Sequence, residues 1–399
     1  MAPSAIDPPA AILPSIKDTK QSVTYQLPIP EPTRRRLEAA NVDLTNGYPY
    51  TPLQPLYVQD VEQIRNEPRD FTDAGSRADP EKKALFNAAK QVIHLTNHIG
   101  TEIVGLQLKD LTDKQKDELG LLIAERSVVF FRDQDLSPQE QRSLGEYYGE
   151  VEVHPQGSHV PGLPGVFTIW PDLFAKQRKA DFRHPGGASM WHTDLVYERQ
   201  PAGVTHLHND TVPKLGGDTL WASGYAAYSK LSPDFRKFID GKQAVFRSAN
   251  EYLDRNDPTA GPRPVERIHP IVRVHPATGW KSLFVNRVWT GKIVGLDKAE
   301  SDVILKYLFD VYENNVDIQV RFKWTPGTSA LWDNRYAFVS SSARNEMGID
   351  MYRITIHNAS WDYEGTEERH GTRVTSLAEV PYFDEKAPTR REALGLNDN

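Results

Sequence analysis

The 399-residue chain contains no cysteine, which removes disulfides, thiolate nucleophiles and Cys-ligated zinc from consideration. It also lacks an excess of basic charge. Its 47 Lys and Arg face 54 Asp and Glu, a formal net charge of −7, which argues against a general nucleic-acid or anionic-membrane surface but not against a local basic pocket. No apolar run approaches the ~18 residues of a membrane helix. The first residues, Met1-Ala2-Pro3-Ser4-Ala5-Ile6-Asp7, show no basic segment followed by an apolar stretch. The expectation is a cytoplasmic protein acting on a small molecule, with neither nucleic acid nor membrane as partner; self-association is left open. What remains is ample for a core, since 39% of the residues are hydrophobic, and the length fits either two average domains or one large β fold.

Residues up to about 55 are rich in proline and polar groups, with Pro28-Ile29-Pro30-Glu31-Pro32 reading as a stiff extended piece. Residues 1–90 are therefore expected to form a partly irregular extension, ahead of a main domain at 91–399. Helices are expected over Pro80–Lys90, over Lys298–Asn314, and from Ser137-Pro138-Gln139-Glu140 toward Tyr147. The last of these opens on a capping box with proline at its first position. Between them lie short runs rich in Val, Ile, Phe and Tyr, at Gly165–Trp170, Gly203–His208, Ile271–Val274 and Ile318–Phe322. Many short strands with turn signals predict a mainly β sandwich or barrel with flanking helices.

The segment that carries chemistry is Trp191-His192-Thr193-Asp194. A His and an Asp at i and i+2 project from one face of an extended strand and can take neighbouring positions on a divalent metal. A distant second His would complete a 2-His-1-carboxylate face with open positions for a co-substrate and O2. The motif is weak alone: among 12 histidines a second copy occurs at His208-Asn209-Asp210, and a polar strand end is the plainer reading of either. His206 and His208 also have a common zinc-ligand spacing, whereas His269 and His275, each before a proline, look structural.

The surroundings separate the two copies. After Asp194 come Leu195-Val196-Tyr197-Glu198-Arg199-Gln200-Pro201-Ala202-Gly203, then the turn Leu215-Gly216-Gly217 and Asp218-Thr219-Leu220-Trp221. Other ordered segments are His98-Ile99-Gly100-Thr101-Glu102-Ile103, Phe284-Val285-Asn286, Leu331-Trp332-Asp333-Asn334-Arg335 and the tail Arg390-Arg391-Glu392-Ala393-Leu394-Gly395-Leu396. From about Thr96 onward this succession resembles the taurine/alkylsulfonate dioxygenase (TauD/TfdA) family, its fungal branch most closely. The resemblance implies a double-stranded β-helix, the cupin-like jelly roll, and an Fe(II)- and 2-oxoglutarate-dependent enzyme that uses O2 and releases succinate and CO2.

By that resemblance His192 and Asp194 bind the metal, and a His should follow Asp333-Asn334-Arg335 after three residues. Valine stands there, at Val339. Removing 339–356, an 18-residue block, would join Phe338 to His357-Asn358-Ala359-Ser360-Trp361-Asp362, which reads like the family's sequence from the metal His onward. His357 is accordingly the expected third ligand, and 339–356 reads as an insertion or a translated intron. A rival alignment keeps Val339 in place and uses Arg353 as anion anchor, but leaves Arg369 and Arg373 without roles.

The resemblance further implies that Arg373, with Thr219, holds the distal carboxylate of 2-oxoglutarate, while Arg369 lies near the metal-bound end; arginine suits bidentate carboxylate recognition. The bland alternative is two solvated surface charges. A carboxylate at Asp194 favours hydroxylation over halogenation. His154 matches a histidine that contacts the sulfonate in taurine-cleaving members, yet Gly157 and Ala188 stand where an aromatic and an amide are expected, so the substrate reads as another sulfonate, a sulfate ester or a carboxylate-bearing metabolite. Two other classes stay open: a catalytically impaired family member serving as a binding or scaffold protein, and a zinc hydrolase, which would leave the arginine anchor unexplained.

Overall fold

The computed structural model describes residues 28–50, 57–59, 67–154, 157–170, 190–257, 259–341 and 368–396. Among these residues the chain forms sixteen strands, several of them, such as Val128–Phe131 and Thr219–Ser223, buried along their whole length. In chain order these are β1 (Gln91–His94), β2 (Thr101–Val104), β3 (Val128–Phe131), β4 (Phe167–Ile169), β5 (Met190–His192), β6 (Ala202–Thr211), β7 (Thr219–Ser223) and β8 (Gln243–Tyr252). They continue with β9 (Arg263–Pro270), β10 (Val272–Val274), β11 (Lys281–Leu283), β12 (Thr290–Ile293), β13 (Gln319–Phe322), β14 (Thr328–Asp333), β15 (Ala337–Ser341) and β16 (His370–Leu377).

Two sheets frame the molecule, a seven-stranded one in the order β1-β2-β3-β14-β6-β16-β4 and a four-stranded one in the order β13-β7-β15-β5. Aromatic rings lock them face to face. Phe130 of the first sheet stacks on Phe322 of the second at 3.8 Å, and Trp221 of the second meets Trp332 of the first at 5.9 Å between centroids. All four are buried, so each pair adds geometry-dependent attraction to the removal of large apolar areas from water. This two-sheet sandwich with flanking helices is the architecture expected of a jelly roll.

The helices are α1 (Glu31–Ala39), α2 (Lys83–Ala88), α3 (Asp113–Arg126), α4 (Pro138–Tyr148), α5 (Gly224–Ser229), α6 (Pro233–Ile239), α7 (Lys298–Glu313) and α8 (Arg390–Ala393). The capping box of α4 is present as read: Glu140 N donates to Ser137 Oγ at 3.2 Å, and Ser137 N donates to Glu140 Oε2 at 2.8 Å. The helices expected over Pro80–Lys90 and Lys298–Asn314 appear as α2 and α7. Pro28–Pro32 differs from the reading as an extended piece, because Pro32 falls in the first turn of α1, where its missing N–H costs nothing. The described part of the expected extension is also built into the fold. Arg36 of α1 donates to Leu136 O at 2.6 Å and to Thr372 Oγ1 at 2.8 Å, and Leu37 and Tyr48 are buried.

Candidate active site

His192 ends β5, an edge strand of the four-stranded sheet, and Asp194 lies two residues beyond the strand in a turn. The pair thus sits at a strand end rather than along a strand face. Leu195, next in line, has φ 54°, a left-handed conformation uncommon for leucine, and Glu198 N closes the turn on Leu195 O at 2.9 Å. His192 Nε2 and Asp194 Oδ1 are 3.7 Å apart and both residues are buried.

Two asparagines from distant segments fix this loop. Asn334 Oδ1 accepts from Asp194 N at 3.1 Å, while Asn334 Nδ2 donates to Gly203 O and Thr205 Oγ1 at 3.0 and 2.8 Å. Asn286 Nδ2 donates to Thr193 Oγ1 at 3.3 Å. Trp289 stands edge-on to His192, with 5.1 Å between ring centroids. Sequence reading named the segments holding Asn334 and Asn286 without giving either residue a task, and missed Trp289.

The seven-stranded sheet supplies the cations. Arg373 of β16 donates to Asp194 Oδ2 at 3.3 Å and lies 5.7 Å from the Phe167 ring. Arg369, immediately before β16, donates to Gly217 O at 2.7 Å and lies 5.8 Å from the Trp324 ring. The indole N–H of Trp324 in turn donates to Thr219 Oγ1 at 2.9 Å. Arg369 and Arg373 are both buried, not solvated surface charges. Arg369 is linked to Thr219 through Trp324, and Arg373 touches the metal-ligand candidate Asp194. Four residues along an extended chain keep two side chains on one face but separate their Cα atoms by roughly 13 Å, so which end meets which partner is decided by sheet pairing.

β15 follows directly from Asp333-Asn334-Arg335. Its backbone pairs Val339 with His192 on one side and with Trp221 on the other. Residues 339–341, the first three of the block read as an insertion, are therefore strand. His357, Arg353 and Ala188 lie outside the described residues, and among those described no three His, Asp or Glu side chains form a group that could hold a metal ion. The donors that are present suit a divalent ion, since an imidazole and a carboxylate stand close enough to share it.

His154 is half-buried on the loop before β4, where its carbonyl accepts Gly157 N at 3.1 Å. A Cβ at Gly157 would stand 2.0 Å from Phe167 Cε1, so the Phe167 ring fills the space that an aromatic at 157 would need. The second His-x-Asp copy is internal scaffolding. His206 Nε2 and His208 Nδ1 both meet Ser329 Oγ, at 2.9 and 3.0 Å, and burial pushes both imidazoles below their ordinary pKa, so they are neutral core groups. His269 Nε2 meets Glu198 O at 2.8 Å, and burial lowers it to about 4. Beneath the loop, burial alone would raise Asp333, but the Arg335 guanidinium and the His275 imidazole together outweigh it and hold the carboxylate far below its usual range.

The sequence model of the "Taurine catabolism dioxygenase TauD, TfdA family" matches residues 91–338. The chain belongs to this family. An alpha-ketoglutarate-dependent sulfonate dioxygenase of Saccharomyces cerevisiae is 34% identical over 327 residues, covering 79% of this chain and 75% of that protein. An alpha-ketoglutarate-dependent sulfate ester dioxygenase of Pseudomonas putida is 30% identical, covering 72% and 89%. A crystal structure of a taurine dioxygenase from Burkholderia xenovorans superposes with a TM-score of 0.58 at 30% identity, covering 77% of this chain and 99% of that one. Among the described residues of this family member, no helix is long and apolar enough to cross a membrane.

Proposed function

We propose that this protein is an Fe(II)- and 2-oxoglutarate-dependent dioxygenase that hydroxylates a small sulfonate or sulfate ester. The observation that carries the reading is the buried joining of His192, Asp194 and Arg373 from opposite sheets, with Arg369 and Thr219 grouped around Trp324. His192 and Asp194 would hold the metal, and His357 is assigned as third ligand by the sequence match on its C-terminal side. That assignment is supported by the family match ending at residue 338, directly before the block 339–356. When bound, iron with 2-oxoglutarate and O2 supplies the oxidation, releasing succinate and CO2.

The chain's own residues bind and orient. Arg369 and Thr219 form the cradle for the distal carboxylate of 2-oxoglutarate, and Arg373 serves the metal end, an exchange of roles favoured by the 3.3 Å contact of Arg373 with Asp194. A buried guanidinium suits a carboxylate because its planar fork can donate two parallel hydrogen bonds. Phe167 and Trp289 shield the site from water, which strengthens its electrostatics. His154 is proposed to meet the substrate's anionic head. The sulfonate and sulfate ester classes are those named for relatives at 34% and 30% identity.

The test is a panel of alkanesulfonates, alkyl sulfate esters and matched carboxylates, read as succinate formed per substrate consumed. Stoichiometric succinate is expected with at least one sulfonate or sulfate ester. Coupled turnover confined to the carboxylates would overturn the substrate class.

A further inference from the structure

Two segments that carried the family resemblance take no part in the site above, the loop beginning at His98 and the tail beginning Arg390-Arg391. The fold brings them together: Arg390 Nη2 donates to Asn97 O at 3.3 Å. Beside them opens a cleft of about 650 Å³, bounded by α5, the start of α6, the turn before β13 and α8. That volume is in the range of small-molecule pockets, and none of its lining residues belongs to the site already described.

The cleft is divided chemically. Leu231, Pro233 and Ile318 give it an apolar side. Lys230, Arg236, Arg390 and Arg391 give it a cationic side, against which Asp317 is the one carboxylate among the described lining residues. Asp317 is taken by Lys230 at 2.8 Å. Nearby acids are also engaged: Glu125 with Lys82 at 2.8 Å, and Glu392 with Thr389 N at 2.7 Å.

Arg126, buried at the end of α3, reaches the same carbonyl as Arg390, with Nη1 3.1 Å from Asn97 O. Its other bonds go to Thr101 Oγ1 and the carbonyls of Thr96 and Gly100. Two guanidinium groups therefore share one neutral acceptor, and among the described residues neither has a carboxylate within ion-pair distance. Burial lowers the pKa of both, and each lowers that of Arg126 or His98 nearby. The Arg126 and Arg390 charges repel each other, offset only at longer range by Glu125, and a multiply charged oxyanion would relieve that repulsion while gaining charge-assisted hydrogen bonds.

We propose that this cleft binds a small organic oxyanion, its charged group held by Arg390 and Arg391 and its organic body against Leu231, Pro233 and Ile318. Phenyl phosphate combines both chemistries, and calorimetric titration of the full chain with it is the test. Saturable one-to-one binding is expected, about tenfold weaker in Arg391→Gln and in Lys230→Gln, as loss of one charge-assisted contact implies. Saturating 2-oxoglutarate and the Arg373→Ala variant should leave the affinity unchanged, which separates this cleft from the active site. Arg390→Gln should show the largest loss; because Arg390 also ties α8 to the Asn97 loop, the other two variants decide if it fails to fold. Absence of saturable binding, equal affinity in Arg391→Gln and Lys230→Gln, or displacement by 2-oxoglutarate would each overturn the proposal.

Discussion

Asp194 is held from three directions: His192 beside it, Arg373 across from it and Asn334 on its backbone N–H. Each contact predicts a different defect. Arg369→Ala should weaken 2-oxoglutarate binding by about 30-fold or more while sparing Fe(II), since truncating one partner of a buried charge pair costs about 2 to 5 kcal/mol. Arg373→Ala should weaken both ligands, because it also releases the Asp194 carboxylate. Titrations in which the two variants behave alike would undo the assignment of their roles. Asn334→Ala leaves a buried N–H without its acceptor, a loss of about 1 to 3 kcal/mol. It should lower the melting temperature and Fe(II) affinity together; an unchanged affinity would mean that Asp194 is set by other contacts. His192, Asp194 and the arginine pair were legible as residue types in a recurring order. Asn334, Asn286 and Trp289 were not, because their tasks arise only when segments about a hundred residues apart close on the same loop.

At the level of the element, the informative case is β15. The sequence marked Val339 as a ligand position without a ligand, and the strand pairing sets Val339 opposite His192. Joining Phe338 to His357 would put an imidazole at that register position, since strand pairing depends on backbone groups that any non-proline residue supplies. Deletion of 339–356 should therefore preserve cooperative unfolding and maintain or raise both Fe(II) affinity and succinate formation. Loss of folding would show that the block is part of the working structure. Local signals such as the Ser137 and Glu140 capping box were readable because both partners lie within one turn. The mixed order of the seven-stranded sheet, with β14 between β3 and β6, was not, since non-local pairing leaves no mark at short sequence separation.

Across the whole molecule, stability is tied to histidines kept neutral. Burial lowers His206 and His208, and brings His269 from 6.5 to about 4. A depressed histidine means that the unfolded chain takes up protons first, so this stability is full above about pH 6.5 and falls as the pH drops toward 4. His269 alone should account for roughly 2 kcal/mol lost between pH 7.5 and 5. Chemical denaturation at the two pH values measures the loss, and His269→Gln should reduce it if folding is retained. An identical pH dependence in that folded variant would remove His269 as a contributor.

The central claim is that the group joining the two sheets at His192, Asp194, Arg369 and Arg373 is a metal and 2-oxoglutarate centre. Its most direct test is the anaerobic visible absorption of the purified protein on adding Fe(II) and then 2-oxoglutarate. A weak charge-transfer band that needs both additions and vanishes in Asp194→Ala is the predicted result. No band in the unaltered protein, or an unchanged band in Asp194→Ala, would contradict it.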